Sequence, residues 1–185
     1  LSTRDVVLVA LFAALMAALG AFPPLMIPAI GVPITAQSMG PMLAGGIIGA
    51  RRGALSMLLF VVLVAVGLPL LPGGRGGLAI FAGPTAGFIL GWIAAAAVTG
   101  VLVERFWSGL SFVTAFLAAA IGGIVVLYAI GIPWISLVGG VPLATAAAGS
   151  AAFIPGDLIK AGLAAAAILM VKRSYPIIRP AHGRP

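Results

Sequence analysis

The chain has no cysteine, so disulfides and thiolate chemistry are excluded and nothing follows about redox compartment. It has one histidine, His182, placed in the C-terminal tail. That excludes a Ser/His dyad inside the apolar body and a His-rich metal site. Only three of its 185 residues are acidic, too few for a proton relay built from several carboxylates. No G-x-x-x-x-G-K-[ST] run occurs, so the chain does not hydrolyse ATP by a P-loop. Residues 74–79 fit a G-x-G-x-x-A pattern, but no strand–helix–strand context surrounds them, and a dinucleotide reading is rejected.

What is present is apolar. Hydrophobic residues make up 63% and charged residues 7% of the chain, and the mean hydropathy is +1.29. This is the composition of an integral membrane protein. A chain of 185 residues holds about six membrane helices of roughly 20 residues, with little left for a soluble region. Residues 1–185 are therefore expected to form a single membrane domain. The net charge of +7 does not signal nucleic acid, because the basic residues sit in short flanks between apolar runs.

Six segments stand out, at residues 6–21, 39–50, 53–71, 84–103, 112–132 and 151–171. The first is read as a span and not as a cleavable signal, because five comparable segments follow and its removal would strand the charge pattern. The second is short and contains Gly45-Gly46, which suits a helix packed within the bundle. With the N-terminus inside, Arg4, Arg51, Arg52, Arg105 and the cluster Lys172, Arg173, Arg179 and Arg184 all fall on one side. Arg75 alone falls on the other. The positive-inside rule then puts both termini in the cytoplasm. The outer connections, residues 22–38, 72–83 and 133–150, are rich in Gly and Pro yet apolar. They are expected to fold back as a cap over the bundle.

Charges inside a span cost on the order of 3 kcal/mol each by insertion scales, so Asp157 and Lys160 in the last segment are the leading candidates for a ligand site. Three residues apart, they share one helix face. Pro155 is suited to a first helical turn, where the helix dipole also favours a carboxylate. The pair equally fits an internal ion pair that holds helices together. Arg75, within Pro72-Gly73-Gly74-Arg75-Gly76-Gly77, can fork onto a carboxylate or stand as a solvated loop cation. Thr35, Gln37 and Ser38 form a polar island that either meets a ligand or caps the second helix. Tyr128 and Trp134 fit either ligand stacking or an aromatic belt. Ala10, Ala14 and Ala18 make a small-residue stripe, suited to close approach by a partner helix or to packing inside the bundle.

The stretch Gly73-Gly74-Arg75-Gly76-Gly77-Leu78-Ala79-Ile80-Phe81-Ala82-Gly83-Pro84-Thr85-Ala86-Gly87-Phe88 resembles the signature of the BioY family, the biotin-specific S components of energy-coupling factor (ECF) vitamin transporters. Val32-Pro33-Ile34-Thr35-Ala36-Gln37 and Phe153-Ile154-Pro155-Gly156-Asp157-Leu158-Ile159-Lys160 resemble two further motifs of that family. The resemblance implies a six-helix membrane protein with a vitamin pocket on the extracytoplasmic side, covered by the loop between the first two helices. It implies ligand contacts from Asp157 and Lys160. It also implies docking, through the alanine face of the first helix, on a transmembrane T component coupled to two ABC-type ATPases.

The expectation is thus an all-α multi-pass protein of the cell membrane that binds biotin, with no enzymatic activity, metal or cofactor. Asp157, Lys160, Arg75, Thr35 and Gln37 would face the ligand, and Ala10, Ala14 and Ala18 the partner. Two other classes stay open at this point. One is a stand-alone secondary transporter of biotin or another small carboxylate, which would transport in proteoliposomes by itself and stop when the proton gradient collapses. The other is a structural subunit, which would bind no ligand.

Overall fold

A computed structural model describes residues 1–27 and 32–178. Arg179, His182 and Arg184 lie outside the described residues. The helices are α1 (Thr3–Gly20), α2 (Met39–Ile48), α3 (Ala50–Ala65), α4 (Ala86–Arg105), α5 (Phe112–Ala120), α6 (Leu127–Gly139), α7 (Leu143–Ser150) and α8 (Ile154–Ser174). A π-helical segment, Ile121–Val126, joins α5 to α6, so Phe112–Gly139 runs as one rod. That rod, α1, α4 and the Leu143–Ser174 stretch are long and apolar enough to cross a membrane. The protein is a multi-pass membrane protein.

Each expected segment contains a helix, but some boundaries differ. The third ends at Ala65, because Val66-Gly67 breaks it with Gly67 at φ +107°. The fifth runs on to Gly139, through Pro133, which is tolerated inside a long membrane helix. The third outer connection is consequently no Gly/Pro loop. Most of it is helical, in the end of α6 and in α7. One short antiparallel hairpin departs from the helical pattern: β1 (Leu25–Ile27) pairs with β2 (Val32–Ile34) inside the first outer connection.

Packing depends on small residues where helices touch. α2 is buried from Gly40 to Ile48, in keeping with its apolar sequence on every side. At ten residues it spans only about 15 Å, half a bilayer's apolar core. A Cβ at Gly53 of α3 would stand 2.8 Å from the Gly45 backbone of α2, so only glycine allows this approach. Met16, Met42, Met57 and Phe60 fill the core behind these contacts and are fully buried.

Charge is segregated along the bundle. Asp5 in the first turn of α1 pairs with Arg52 in the first turn of α3, at 2.6 Å. Glu104 at the end of α4 accepts the Ala50 N–H at 2.8 Å. Lys172, near the end of α8, donates to the Trp107 carbonyl and lies over its ring. These groups gather at one end. Arg75, Asp157 and Lys160 meet at the other, around a cavity.

Candidate functional site

The cavity is enclosed by the first outer connection, the loop after α3, and the facing sides of α4, α6 and α8. Its empty volume is about 520 Å³, counting the open mouth and the space shared with solvent. Asp157, Lys160, Arg75, Thr35 and Gln37 all line it. These residues, drawn from three distant stretches of sequence, converge on one space.

Asp157 is the centre of the polar end. Pro155 occupies the first turn of α8, as its missing N–H favours, and Asp157 follows within that turn, only 3% exposed. Its Oδ1 accepts from Lys160 Nζ at 2.8 Å and from Ser38 Oγ at 3.0 Å, and its Oδ2 accepts from Tyr128 OH at 2.7 Å. A buried carboxylate is tolerable only with such pairing. The ion pair foreseen from spacing is real, and it forms part of the cavity wall. It is therefore both an internal pair and the polar lining of the cavity.

The rest of the lining is largely apolar and aromatic. Phe88, Tyr128 and Phe153 pack edge to face in a mutual cluster, with centroids 6.0–6.3 Å apart. Trp92, Leu71, Leu127, Val32 and Ile34 also line the cavity, with Pro72 and Thr85. Such a space suits a molecule with one hydrogen-bonding head and an apolar body.

Arg75 sits in a tight turn where Leu71 and Arg75 exchange backbone hydrogen bonds and Gly73 and Gly74 both adopt positive φ. Those glycines supply a left-handed conformation that other residues rarely adopt. The Arg75 Nε donates to the Pro72 carbonyl at 3.2 Å, and the partly exposed side chain lines the cavity. Thr35 lines the cavity without a helix-capping bond. Gln37 is fully buried, and its Nε2 donates to Met16 O at 3.0 Å and Leu70 O at 2.9 Å. Its amide nitrogen is thereby committed to the backbone of α1 and of the loop after α3. The capping alternative for this island fails, since neither Thr35 nor Ser38 makes a side-chain cap bond to α2.

Sequence reasoning missed Ser38 as a partner of the charged pair and underrated Tyr128. Ser38 Oγ accepts from Lys160 Nζ at 2.8 Å as well as meeting Asp157. Tyr128 is no interfacial belt residue: it lines the cavity and bonds the carboxylate. Trp134 lies outside the cavity lining, and its Nε1 donates to Gly83 O at 3.0 Å, tying α6 to the loop before α4. Ala10, Ala14 and Ala18 are exposed on the outer face of α1, whereas Ala13 is buried. The stripe thus does not pack inside the bundle.

Comparison with known proteins agrees with this architecture. The BioY family model matches residues 1–177. A protein of Rhizobium etli named "Biotin transporter BioY" is 57% identical over 183 residues, covering 96% of this chain and 98% of that protein. A protein of the same name from Rhodobacter capsulatus is 48% identical, covering 95% and 98%. The crystal structure of the S component for biotin from an ECF-type ABC transporter superposes with a TM-score of 0.89 at 31% identity, covering 94% of this chain and 93% of that one. With a family model spanning nearly its whole length and relatives at this identity, the chain belongs to the BioY family.

Proposed function

We propose that the chain is the biotin-binding membrane subunit, or S component, of an ECF-type uptake system, and not an enzyme. It captures biotin at the extracytoplasmic face of the cell membrane and passes it across with an ATPase module. The names carried by its relatives support this reading, as does the likeness to the S component for biotin. The observation that carries it is the convergence of Asp157, Lys160, Tyr128 and Ser38 in a cavity whose remaining lining is mostly apolar and aromatic.

Biotin presents complementary chemistry. Its ureido ring has two N–H donors and a carbonyl acceptor, its sulfur ring is apolar, and its valerate tail ends in an anion. Asp157 accepts from a ureido N–H, and Lys160 donates to the ureido oxygen or the valerate. Arg75 complements the carboxylate nearer the mouth. Thr35 supplies a hydroxyl, and Gln37 holds the loop that carries it. The aromatic wall takes the sulfur ring and the tail methylenes. No cofactor or metal enters this account.

The outward alanine face of α1 is the proposed dock for a transmembrane T component coupled to two ABC-type ATPases. Alanines there let a partner helix approach closely, with no lipid between the two backbones.

Titration of the detergent-purified protein with biotin tests the ligand. One biotin per chain is expected, with no heat from a vitamin that lacks the ureido ring. Tight binding of a different vitamin, or co-purification with one, would overturn the assignment.

A further inference from the structure

The end of the bundle away from the ligand cavity holds a second, open cleft. It lies among the first turns of α1 and α3, the end of α4 and the segment that follows α8. Its charged lining is Arg4, Asp5, Arg51, Arg52 and Glu104, and Ile48, Ile177 and Ile178 line it as well. The biotin-binding reading makes no use of it.

The charges of the cleft are unevenly matched. Asp5 Oδ1 accepts from Arg52 Nε at 2.6 Å, and its Oδ2 accepts the Ser2 N–H at 2.8 Å. Glu104 Oε1 accepts the Ala50 N–H at 2.8 Å and so serves the start of α3 instead of an arginine. Among the described residues, neither Arg4 nor Arg51 forms an ion pair. Arg4 lies over the Tyr175 ring, its Cζ 5.8 Å from the centroid, and Arg51 is exposed. Three guanidinium groups thus face two carboxylates, which leaves one positive charge in excess.

A lining that joins an excess positive charge to isoleucines matches an anion attached to hydrocarbon. A phospholipid phosphodiester is such a group, with a single negative charge on an apolar body. We propose that the cleft holds the phosphate of an anionic phospholipid from the leaflet at that end, with Arg4 and Arg51 as its contacts. A guanidinium forks onto two phosphate oxygens, which an ammonium does not. Helix ends of a multi-pass protein meet the headgroup layer, so lipid is always at hand, whereas a soluble anion gains nothing from the isoleucines. Arg4 belongs to α1, Arg51 to α3, and Ile177 and Ile178 follow α8, so one bound headgroup joins three parts of the chain. The proposal stands apart from the biotin-binding reading.

Native mass spectrometry of the detergent-purified protein, titrated with phosphatidylglycerol and with phosphatidylcholine, tests it. The parent should retain one phosphatidylglycerol in preference to phosphatidylcholine. Arg4→Gln and Arg51→Gln should each lower that preference about fivefold, the worth of one arginine at a charged membrane surface. The two residues lie on different helices, so each variant gives a separate reading. Arg105→Gln removes the same charge at the same end but outside the cleft lining, and should keep the preference. Arg51→Lys keeps the charge and should keep most of it, and a loss equal to that of Arg51→Gln would mean that the substitution acts through the fold and count against the proposal. An equal loss in Arg105→Gln would reduce the effect to diffuse surface charge and overturn it. A parent without preference, or glutamine variants that bind like the parent, would overturn it too. Displacement of the lipid by millimolar inorganic phosphate would make this a site for free anions and not for lipid. Glutamine variants that keep the lipid yet no longer assemble with the ATPase module would give the cleft to a protein partner and overturn the proposal.

Discussion

Tyr128 donates its phenolic hydrogen to Asp157 Oδ2 across 2.7 Å, linking α6 to the first turn of α8 inside the cavity wall. The same ring packs against Phe88 and Phe153, so one side chain serves both the polar and the apolar lining. Asp157 then has partners on α6, on α8 itself and on the first outer connection.

Tyr128→Phe removes that hydrogen bond and keeps the aromatic contacts. The carboxylate loses one of its protein donors in a low-dielectric setting, and its orientation loosens. Biotin affinity should fall about tenfold, corresponding to roughly 1.4 kcal/mol. Calorimetric titration of parent and variant checks this. An unchanged affinity would confine Tyr128 to packing.

Asp157→Ala should weaken biotin binding more than Arg75→Ala. Asp157 is 3% exposed, so its bonds to a ligand face little competition from water. Losing a buried charge-assisted contact costs on the order of 2–5 kcal/mol, against about 1 kcal/mol at a wet rim. Arg75 stands in a partly exposed glycine turn at the mouth. Titrations of the three proteins rank the effects, and an Asp157→Ala variant that binds like the parent would make the charged pair purely structural.

The leading part of this site was legible because a membrane chain makes charge conspicuous. Asp157, Lys160 and Arg75 stood out against a sequence with 7% charged residues. Ser38 and Tyr128 did not stand out, for separate physical reasons. A hydroxyl in an apolar loop looks like a helix cap, and only the tertiary fold brings it to α8. Tyr128 follows the π-helical segment Ile121–Val126, where the helix takes up an extra residue. An aromatic near the outer end of a span reads as an interfacial belt residue, and only the tertiary fold brings its hydroxyl to Asp157 on α8. The end of the fifth span was misplaced for a related reason, since Pro133 and the flanking glycines read as loop while the surrounding bundle keeps them helical. The hairpin of β1 and β2 left no trace in a search tuned to spans, each strand being only three residues long.

Sidedness follows from the segregation of charge. Arg4, Arg51, Arg52, Arg105, Lys172 and Arg173 flank the helix ends away from the cavity, and the cavity's own loop carries Arg75. The positive-inside rule predicts from this that the cavity opens to the outside. Single cysteines beside residues 52, 75, 105 and 173 of this cysteine-free chain should react with an impermeant thiol reagent in intact cells only at the residue-75 site. Reaction near residue 52 would refute the orientation.

Ala14→Leu or Ala18→Leu should leave biotin binding intact and abolish uptake. Both alanines are exposed on α1, in line with Ala10, while Phe12, Ala13 and Met16 turn into the core. The small side chains at these positions would let a partner helix come close to the α1 backbone. A leucine holds the two helices apart, and no hydrophobic effect between helices in lipid restores the lost packing. The cavity should not register the change, because its polar end is built on α6, α8 and Ser38. Equilibrium biotin binding to the purified variants is compared with cellular uptake when the ATPase module is co-expressed. Loss of binding together with uptake would mean that the substitution disturbs the bundle through α1. Retention of full uptake would mean that the partner docks on another face.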